Sequence, residues 1–326
     1  MEEKMDPETT VIDAIHLRFR EVFADRFQLD VPLARYTSAR VGGPAEMLVT
    51  VQNTTELLSA VELAYAQRIP FMILGGGSNI LAADGGFAGL VVLNKARQVQ
   101  FRHTGLNVVC TAGSGMNLSS LARQCIAKGL GGLEWAVSVP GTVGGAVVGN
   151  SGAHGGDMNG NLLAAAVWET STGVRIYSNE ELEFGYRDSV LKREQGGRSA
   201  RRVVLSAELE LKEEAANVLI ARADAFVAQR KQTQPSGASV GSMFKNPPNY
   251  YAGYLIEAAG LKGFRVGGAA ISEKHANFFV NEAQASAEDV RALIAEAWNA
   301  VRERFGIELD LEVELVGDWR FEEEEG

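Results

Sequence analysis

Cysteine is scarce in this 326-residue chain. The two that occur, Cys110 and Cys125, each lie inside an apolar pattern, which supports neither a disulfide framework nor a Cys-based zinc site and fits a reducing compartment. Histidine is nearly as rare. His16, His103, His154 and His275 share no HxH or HExxH spacing, so no metal centre is expected. Positive charge is also short: 31 Lys and Arg against 41 Asp and Glu give a formal net charge of −10, and the sequence pI is about 5.1. A general nucleic-acid surface is therefore excluded, because such a surface must displace counterions. Small anionic ligands remain open, since local cations govern them. No run approaches the ~20 apolar residues of a membrane span. The opening MEEKMDPETT has no apolar core of a signal peptide, so the expected setting is cytoplasmic. No Gly-Lys pair occurs, which excludes a P-loop. No internal repeat is visible, and only the Glu322–Glu325 tail is low in complexity.

Glycine, by contrast, is abundant: 36 residues, about 11% against a usual ~7%. With 46% hydrophobic residues and a mean hydropathy of −0.03, the composition is that of a soluble globular chain long enough for two or three domains. The glycines concentrate between Glu134 and Asn161, at 141, 144, 145, 149, 152, 155, 156 and 160. So dense a run costs conformational entropy unless bare backbone must adopt positive φ or lie against something large. A disordered linker is the alternative, but Trp135, Val137, Val139, Val143, Val147 and Val148 interleave apolar anchors. An ordered, ligand-facing loop is expected, its freed N–H groups able to hold phosphate without Lys or Arg.

In chain order, a polar leader (1–34) carries a short amphipathic helix around Val11 to Phe27. A strand at Met47–Val51 precedes Asn53-Thr-Thr-Glu56, a capping pattern opening a helix to about Arg68. The strand Ile69–Leu74 runs into a second glycine turn, Gly75-Gly-Gly-Ser-Asn79. Strands follow at Leu90–Leu93 and Asn107–Ala112, then a third turn, Gly113-Ser-Gly115, and a helix over Asn117–Lys128. Leu163–Glu169 and Val174–Tyr177 read as a hairpin. The segment Tyr186–Arg202 holds six basic and two acidic residues, a local +4. After a strand at Val203–Leu211, a charged helix with Ala216, Leu219, Ala223 and Phe226 at helical spacing begins near a domain boundary at 212. The last third holds a loop from Gly237 to Pro248, an apolar helix near Tyr250–Ala259 and a strand at Asn277–Val280. Ser286 caps a helix with Val290, Leu293, Ala297, Val301 and Phe305 on one face and Gly306 at its end. Ile307–Val316 alternates as a final strand. Without a steady βαβ rhythm the fold class is α+β.

Two motifs compete for the chemistry. Gly113-Ser-Gly115 lies between a strand and a helix like a dinucleotide fingerprint, but Leu118 replaces the third glycine that close helix packing requires. Gly237-Ala-Ser-Val-Gly241 matches G-x-S-x-G, with Glu257 and His275 following in hydrolase order. A nucleophile elbow needs a strand before and a helix after, and neither is expected here. Hydrolysis is therefore a weak second hypothesis. His154 stands out among the histidines because it lies inside the glycine loop. Ser242, Arg187 and Glu312 are unremarkable alone: Glu312 shares the polar face of the last strand with Glu308, Asp310 and Glu314, and alternation cannot choose among them.

Seven ordered segments together resemble one family. They are Gly42-Gly-Pro-Ala45, Leu74-Gly-Gly-Gly-Ser-Asn79, Gly132-Leu-Glu134, Pro140-Gly-Thr-Val-Gly-Gly-Ala146, Tyr186-Arg187, Gly241-Ser-Met-Phe-Lys-Asn-Pro247 and His275-Ala-Asn277. The resemblance is to the UDP-N-acetylenolpyruvoylglucosamine reductases, flavoenzymes of bacterial cell-wall precursor synthesis, and spans roughly residues 35 to 317. It implies a vanillyl-alcohol-oxidase-like FAD-binding domain over 35–212, in two parts of about 35–95 and 96–212. A C-terminal substrate-binding domain over 213–318 and an acidic tail over 319–326 follow. FAD and NADPH are the implied cofactor and reductant, a UDP-sugar the substrate; no nucleic-acid or membrane partner is implied, and the oligomeric state is left open, a monomer being plausible.

The resemblance further assigns FAD contacts to Gly42, Gly43, Gly75, Gly76, Gly77, Ser78, Asn79, Ser114, Pro140, Gly141, Thr142, Gly144, Gly145 and Gly152, and substrate contacts to Tyr186, Lys245 and Asn246. It makes Ser242 the proton donor, Arg187 the enolate-stabilising cation and Glu312 the carboxyl that donates to the enolate or orients it, with Lys245 assisting Ser242. Two departures stand out. Asn150-Ser-Gly-Ala-His-Gly155 lacks a second Ala and a Tyr that the family pattern carries there. The 13 residues from 249 to 261 are too few for the Tyr-bearing insertion of one family branch, so the chain resembles the short branch. Same-fold flavin oxidase and non-catalytic nucleotide-sugar binding are the rival readings; oxygen consumption would mark the first and inactivity with intact flavin the second.

Overall fold

The computed structural model of the chain describes residues 7–105, 107–193 and 199–319. Its elements build three packed units in chain order, the first with a core on each face of its sheet.

The first contains α1 (Pro7–Phe23), β1 (Phe27–Pro32), β2 (Pro44–Val51), α2 (Thr54–Ala66), β3 (Phe71–Leu74), β4 (Ile80–Ala82) and β5 (Phe87–Asn94). One sheet runs β1-β2-β5-β3, with β5 parallel to both β2 and β3 and β1 antiparallel to β2. The Asn53 side chain accepts from Glu56 N–H, as the cap pattern requires, whereas the Glu56 carboxylate reaches back to Gln52 N–H instead of completing a box. The leader helix ends at Phe23, earlier than expected, because the following residues leave as β1 to pair with β2.

The second core contains β6 (Val99–Thr104), β7 (Asn107–Gly113), α3 (Leu118–Ala127), β8 (Leu130–Gly131), α4 (Val143–Val148), β9 (Gly152–Ala153), β10 (Gly156–Asp157), β11 (Leu162–Glu169), β12 (Gly173–Ser178), α5 (Val190–Arg193), β13 (Arg202–Glu213) and α6 (Ala216–Thr233). Its antiparallel sheet runs β12-β11-β13-β7-β6, with β8 beside β13. Leu118 is buried in this core at the start of α3, so the position where a dinucleotide fingerprint needs glycine is a packing residue. Leu219 and Ala223 bury here too: the helix that follows residue 212 packs on the second core.

The third core contains β14 (Ala238–Ser242), α7 (Ala252–Ala258), β15 (Arg265–Val266), β16 (Ala269–Ile271), β17 (Phe278–Asn281), α8 (Ala287–Phe305) and β18 (Glu314–Val316). The sheet runs β14-β17-β16-β15. Helix α8 has the expected Ser286 cap, closed into a reciprocal box by Asp289, and ends on Gly306 at φ 66°. Val290, Leu293, Ala297 and Val301 are buried, but Phe305 falls in the last turn and is exposed. The alternating stretch from Ile307 forms a strand only at Glu314–Val316, where β18 pairs parallel with β4 of the first core. Before it the chain makes a single bridge, Phe244 to Leu311. The end of the chain is thus stitched back onto the turn that begins at Gly75.

No helix among the described residues is long and apolar enough to cross a membrane.

Candidate active site

A cavity of about 730 Å³ lies where the three cores meet, within the range of ligand pockets. Two glycine turns form one wall. They approach so closely that side chains are excluded: a Cβ on Gly75 would sit 2.5 Å from Thr142 Oγ1, and one on Gly76 would sit 3.1 Å from Gly141 Cα. Bare backbone therefore serves the packing of one turn on the other as well as any ligand. The expected loop after Pro140 contains a short helix, α4, capped by Thr142.

All the expected cofactor positions from Gly75 onward line this cavity: Gly75, Gly76, Gly77, Ser78, Asn79, Ser114, Pro140, Gly141, Thr142, Gly144, Gly145 and Gly152. Ser114 is held by Asn94, whose Nδ2 donates to its Oγ at 2.8 Å. Gly42 and Gly43 do not line it. A Cβ on Gly43 would meet Asp84 O at 2.0 Å, and Gly43 N–H donates to Ala83 O at 2.9 Å, so this pair lets the chain lie against residues 82–86.

Arg187, Ser242 and Glu312 come from three separate segments and all line the cavity. Arg187 sits at φ 55°, a left-handed conformation that costs a non-glycine residue energy and needs surrounding support. That support is local. Gly185 and Asp188 close a tight turn, Asn150 Nδ2 donates to Gly185 O at 2.9 Å, and Ser189 Oγ donates to Val148 O at 2.6 Å. These bonds tie the turn to the end of α4.

Ser242 ends β14 after Gly241, whose φ of 85° falls at an irregularity in the β14–β17 register. Asn277 secures the residues beyond it: its Oδ1 accepts from Phe244 N–H at 2.9 Å and its Nδ2 donates to Phe244 O at 2.8 Å. Such a buried, fully used amide explains the His275-Ala-Asn277 segment without any ligand.

Glu312 is fixed from both sides. Its N–H donates to Met243 O at 2.9 Å, and its C=O accepts from Asn79 Nδ2 at 3.1 Å. Its side chain is 15% exposed, against 68% for Glu308 and 41% for Glu314. Burial thus singles it out on a face that alternation alone assigns to solvent. Arg187 Nε lies 2.8 Å from Glu312 Oε1, yet without the alignment of a hydrogen bond, so the contact is one of charge. Burial pushes the Glu312 carboxyl above its ordinary range, against the opposing pull of Arg187, Lys192 and Lys245.

The three expected substrate residues lie off the cavity wall. Tyr186 is exposed, with the Arg187 guanidinium 5.8 Å from its ring centre. Asn246 uses its Oδ1 to accept from Ala252 N–H at the start of α7. Lys245 acts on Glu312 only as a nearby charge. Sequence reasoning also overlooked Lys192, which lines the cavity 3.6 Å from Glu314.

His154 turns away from the cavity. It stacks on Phe226 of α6 at 4.3 Å, and its Nδ1 lies 3.1 Å from Gln229 Oε1. Ser239 lies inside β14 opposite Val280, and His275 Nδ1 accepts from Asn277 N–H at 3.2 Å. With no helix directly after the strand, the hydrolase elbow is absent. A second, open groove of about 740 Å³ lies by Phe101, Lys128 and Glu213 and contains none of these motif residues. Among the described residues no cluster of His, Cys, Asp or Glu has the form of a metal site.

An α+β chain whose two glycine turns line a cavity shared with a half-buried arginine–carboxyl contact and a serine belongs to the class of FAD-binding oxidoreductases, and residues 45–172 match the family described as "FAD binding domain". Residues 232–316 match the family described as "UDP-N-acetylenolpyruvoylglucosamine reductase, C-terminal domain". The chain is 40% identical over 285 residues to the UDP-N-acetylenolpyruvoylglucosamine reductase of Chloroflexus aggregans, covering 87% of this chain and 96% of that one. It is 42% identical to that of Moorella thermoacetica, over 88% of this chain and 92% of that one. The crystal structure of the Thermus caldophilus enzyme of the same name superposes with a TM-score of 0.74 at 37% identity, over 89% of this chain and 98% of that one. The chain belongs to the UDP-N-acetylenolpyruvoylglucosamine reductase family.

Proposed function

We propose that the protein reduces the enolpyruvyl ether of UDP-N-acetylglucosamine enolpyruvate to UDP-N-acetylmuramate, with NADPH as reductant. The observation that carries this reading is the meeting of Arg187, Ser242 and Glu312 on the cavity that the two glycine turns also line. The residues present fit FAD. Bare backbone along 75–79 and 140–145 offers N–H groups and close approach, and a Cβ on Gly145 would meet nothing nearer than Thr142 Oγ1 at 3.8 Å. When bound, FAD supplies the hydride carrier between NADPH and the substrate.

The chain's own residues supply the rest. Hydride addition at the methylene carbon builds negative charge on the neighbouring carbon, which the substrate carboxylate absorbs as an enolate. The permanent charge of Arg187 stabilises that enolate, and a protonated Glu312 donates to it or orients it. The Ser242 hydroxyl delivers the proton to the carbon, with the Lys245 charge assisting. Cofactor binding falls to the first two cores and substrate binding to the third, and the enzyme works as a cytoplasmic protein of cell-wall precursor synthesis. The test is product stoichiometry. One UDP-N-acetylmuramate per NADPH consumed, without oxygen uptake, supports the reading; NADPH-independent turnover with oxygen uptake contradicts it.

A further inference from the structure

Arg187 Nε meets Glu312 Oε1 at 2.8 Å without an aligned hydrogen bond, and its backbone holds a left-handed φ of 55°. Neither the charge contact nor the intrinsic preference of the chain therefore fixes where the guanidinium sits. The turn beneath it must do so. Gly185 N–H donates to Asp188 O at 3.0 Å and Asp188 N–H donates to Gly185 O at 3.3 Å. The same Gly185 O accepts a second, shorter bond from Asn150 Nδ2 at 2.9 Å.

Asn150 stands behind the cavity wall. It is 6% exposed and itself left-handed, at φ 41°, and it is followed by Ser151, Gly152 and Ala153, which line the cavity. Both ends of its amide are engaged: Oδ1 accepts from Asn159 N–H at 3.0 Å while Nδ2 donates to Gly185 O. Since Asn159 lies just past β10, one amide joins the base of the β9–β10 hairpin to the Arg187 turn. The hairpin is a firm anchor. A Cβ on Gly152 would lie 2.7 Å from Asp157 Cβ, and His154 at the hairpin's tip stacks on Phe226 of α6. The Asp157 carboxylate also faces the amide, its Oδ2 3.5 Å from Asn150 Nδ2. Removing one end of such a buried amide leaves a polar group without its partner.

We propose that Asn150 is the positioning residue for Arg187: it ties the Gly185–Asp188 turn to the cavity-lining segment 151–153, and so holds the guanidinium where it meets Glu312 and the developing enolate. The inference rests on the reductase reading above and adds to it a residue that lies off the cavity wall. Without the Nδ2 donor, Gly185 O keeps the 3.3 Å bond from Asp188 N–H among the described residues, and the left-handed Arg187 loses much of its support.

The test uses FAD-loaded wild type, Asn150→Asp and Asn150→Gly, each substitution made alone and together with Arg187→Ala. Aspartate has the shape of asparagine, tolerates the left-handed backbone and keeps the acceptor; as a carboxylate it lacks the donor to Gly185 O, and when protonated it regains one. Glycine tolerates the backbone and lacks both groups. Stopped-flow separates flavin reduction by NADPH from reoxidation by the UDP-sugar. Positioning predicts normal flavin reduction at neutral pH and a limiting rate of reoxidation about ten- to a hundredfold lower in both variants, with the half-saturating sugar concentration little changed. Relative to wild type at the same pH, the Asn150→Asp loss narrows as pH falls and the Asn150→Gly loss does not. In the Arg187→Ala background either substitution costs less than about twofold more, because the residue it positions is already gone. Equal losses in both backgrounds, or reduction slowed as much as reoxidation, would make Asn150 a structural residue and overturn the proposal. Normal reoxidation in both variants, or failure of both to retain FAD, overturns it as well. Should wild type itself oxidise no NADPH with the UDP-sugar, the reductase reading falls, and the positioning role with it.

Discussion

Asn79 donates from its side chain to the backbone carbonyl of Glu312, 233 positions away in sequence, at 3.1 Å. Its own carbonyl accepts from Glu314 N–H at 3.0 Å, so the turn after β3 grips the chain immediately beyond the residue that carries the half-buried carboxyl. The glycine turn and the carboxyl are thereby one mechanical unit. Arg187 reaches the same carboxyl from a turn tied to α4. Disturbing either glycine turn should therefore disturb the chemistry beyond it.

Ser242→Ala should leave NADPH-driven flavin reduction near wild type and slow reoxidation by the UDP-sugar by about 10²–10⁴-fold, the usual worth of a positioned proton donor. Stopped-flow measurement of the two half-reactions separates them. Equal losses in both would remove Ser242 from the proton-donor role.

Arg187→Ala should likewise spare the first half-reaction and cost the second about 10²–10³-fold, the range for losing one group that stabilises developing charge. Arg187→Lys should recover only part, because a point charge cannot replace the fork. Near-normal turnover of Arg187→Ala by UDP-sugar would exclude it from the site.

Glu312 holds its proton to higher pH than an ordinary carboxyl, through burial. Reoxidation by the UDP-sugar should fall as pH rises through that raised value, and Glu312→Gln, which mimics the neutral form, should flatten this limb. Linkage gives a second readout. The folded protein binds this proton more tightly than the unfolded chain, so the stability from this group is full below the ordinary carboxyl range. It is lost as pH rises through the raised value. Chemical denaturation across that window should show a shallower decline in Glu312→Gln; identical slopes would contradict the raised value.

The local signals that punctuate helices were legible. Asn53, Asn117 and Ser286 each cap the helix expected after them, and the hairpin across residues 170–172 stands where its turn residues put it. Elements defined by distant partners were not. β1 forms because β2 accepts it, and the stretch from Ile307 stays largely irregular because its partners are single groups on Met243, Phe244, Lys245 and Asn79. Strand alternation could not find the burial of Glu312, which arises from packing against residues far earlier in the chain. His154 looked ligand-facing because its neighbours are glycines, yet Phe226, whose helical spacing was plain, captures it.

Asp289 closes the capping box of α8 and also accepts from Gly268 N–H at 3.1 Å. The Ser286 N–H leads in holding its carboxyl below the ordinary range; burial opposes it, and the Gly268 N–H and Ser286 hydroxyl add to it. Asp289→Ala should lower stability by about 1 kcal/mol, the usual worth of a cap. The site residues lie elsewhere, so kcat should move little. Urea denaturation of the FAD-loaded protein measures the first and steady-state assay the second; an unchanged midpoint would contradict the cap.

The most direct measurement is the absorption spectrum of the purified, FAD-loaded protein under anaerobic conditions, first with NADPH and then with the UDP-sugar. The account predicts a flavin spectrum that bleaches with NADPH and returns only when the enolpyruvyl sugar is added, with one UDP-N-acetylmuramate formed per flavin reoxidised. A protein that neither carries FAD nor takes it up, or whose bleached flavin ignores the sugar, would contradict it.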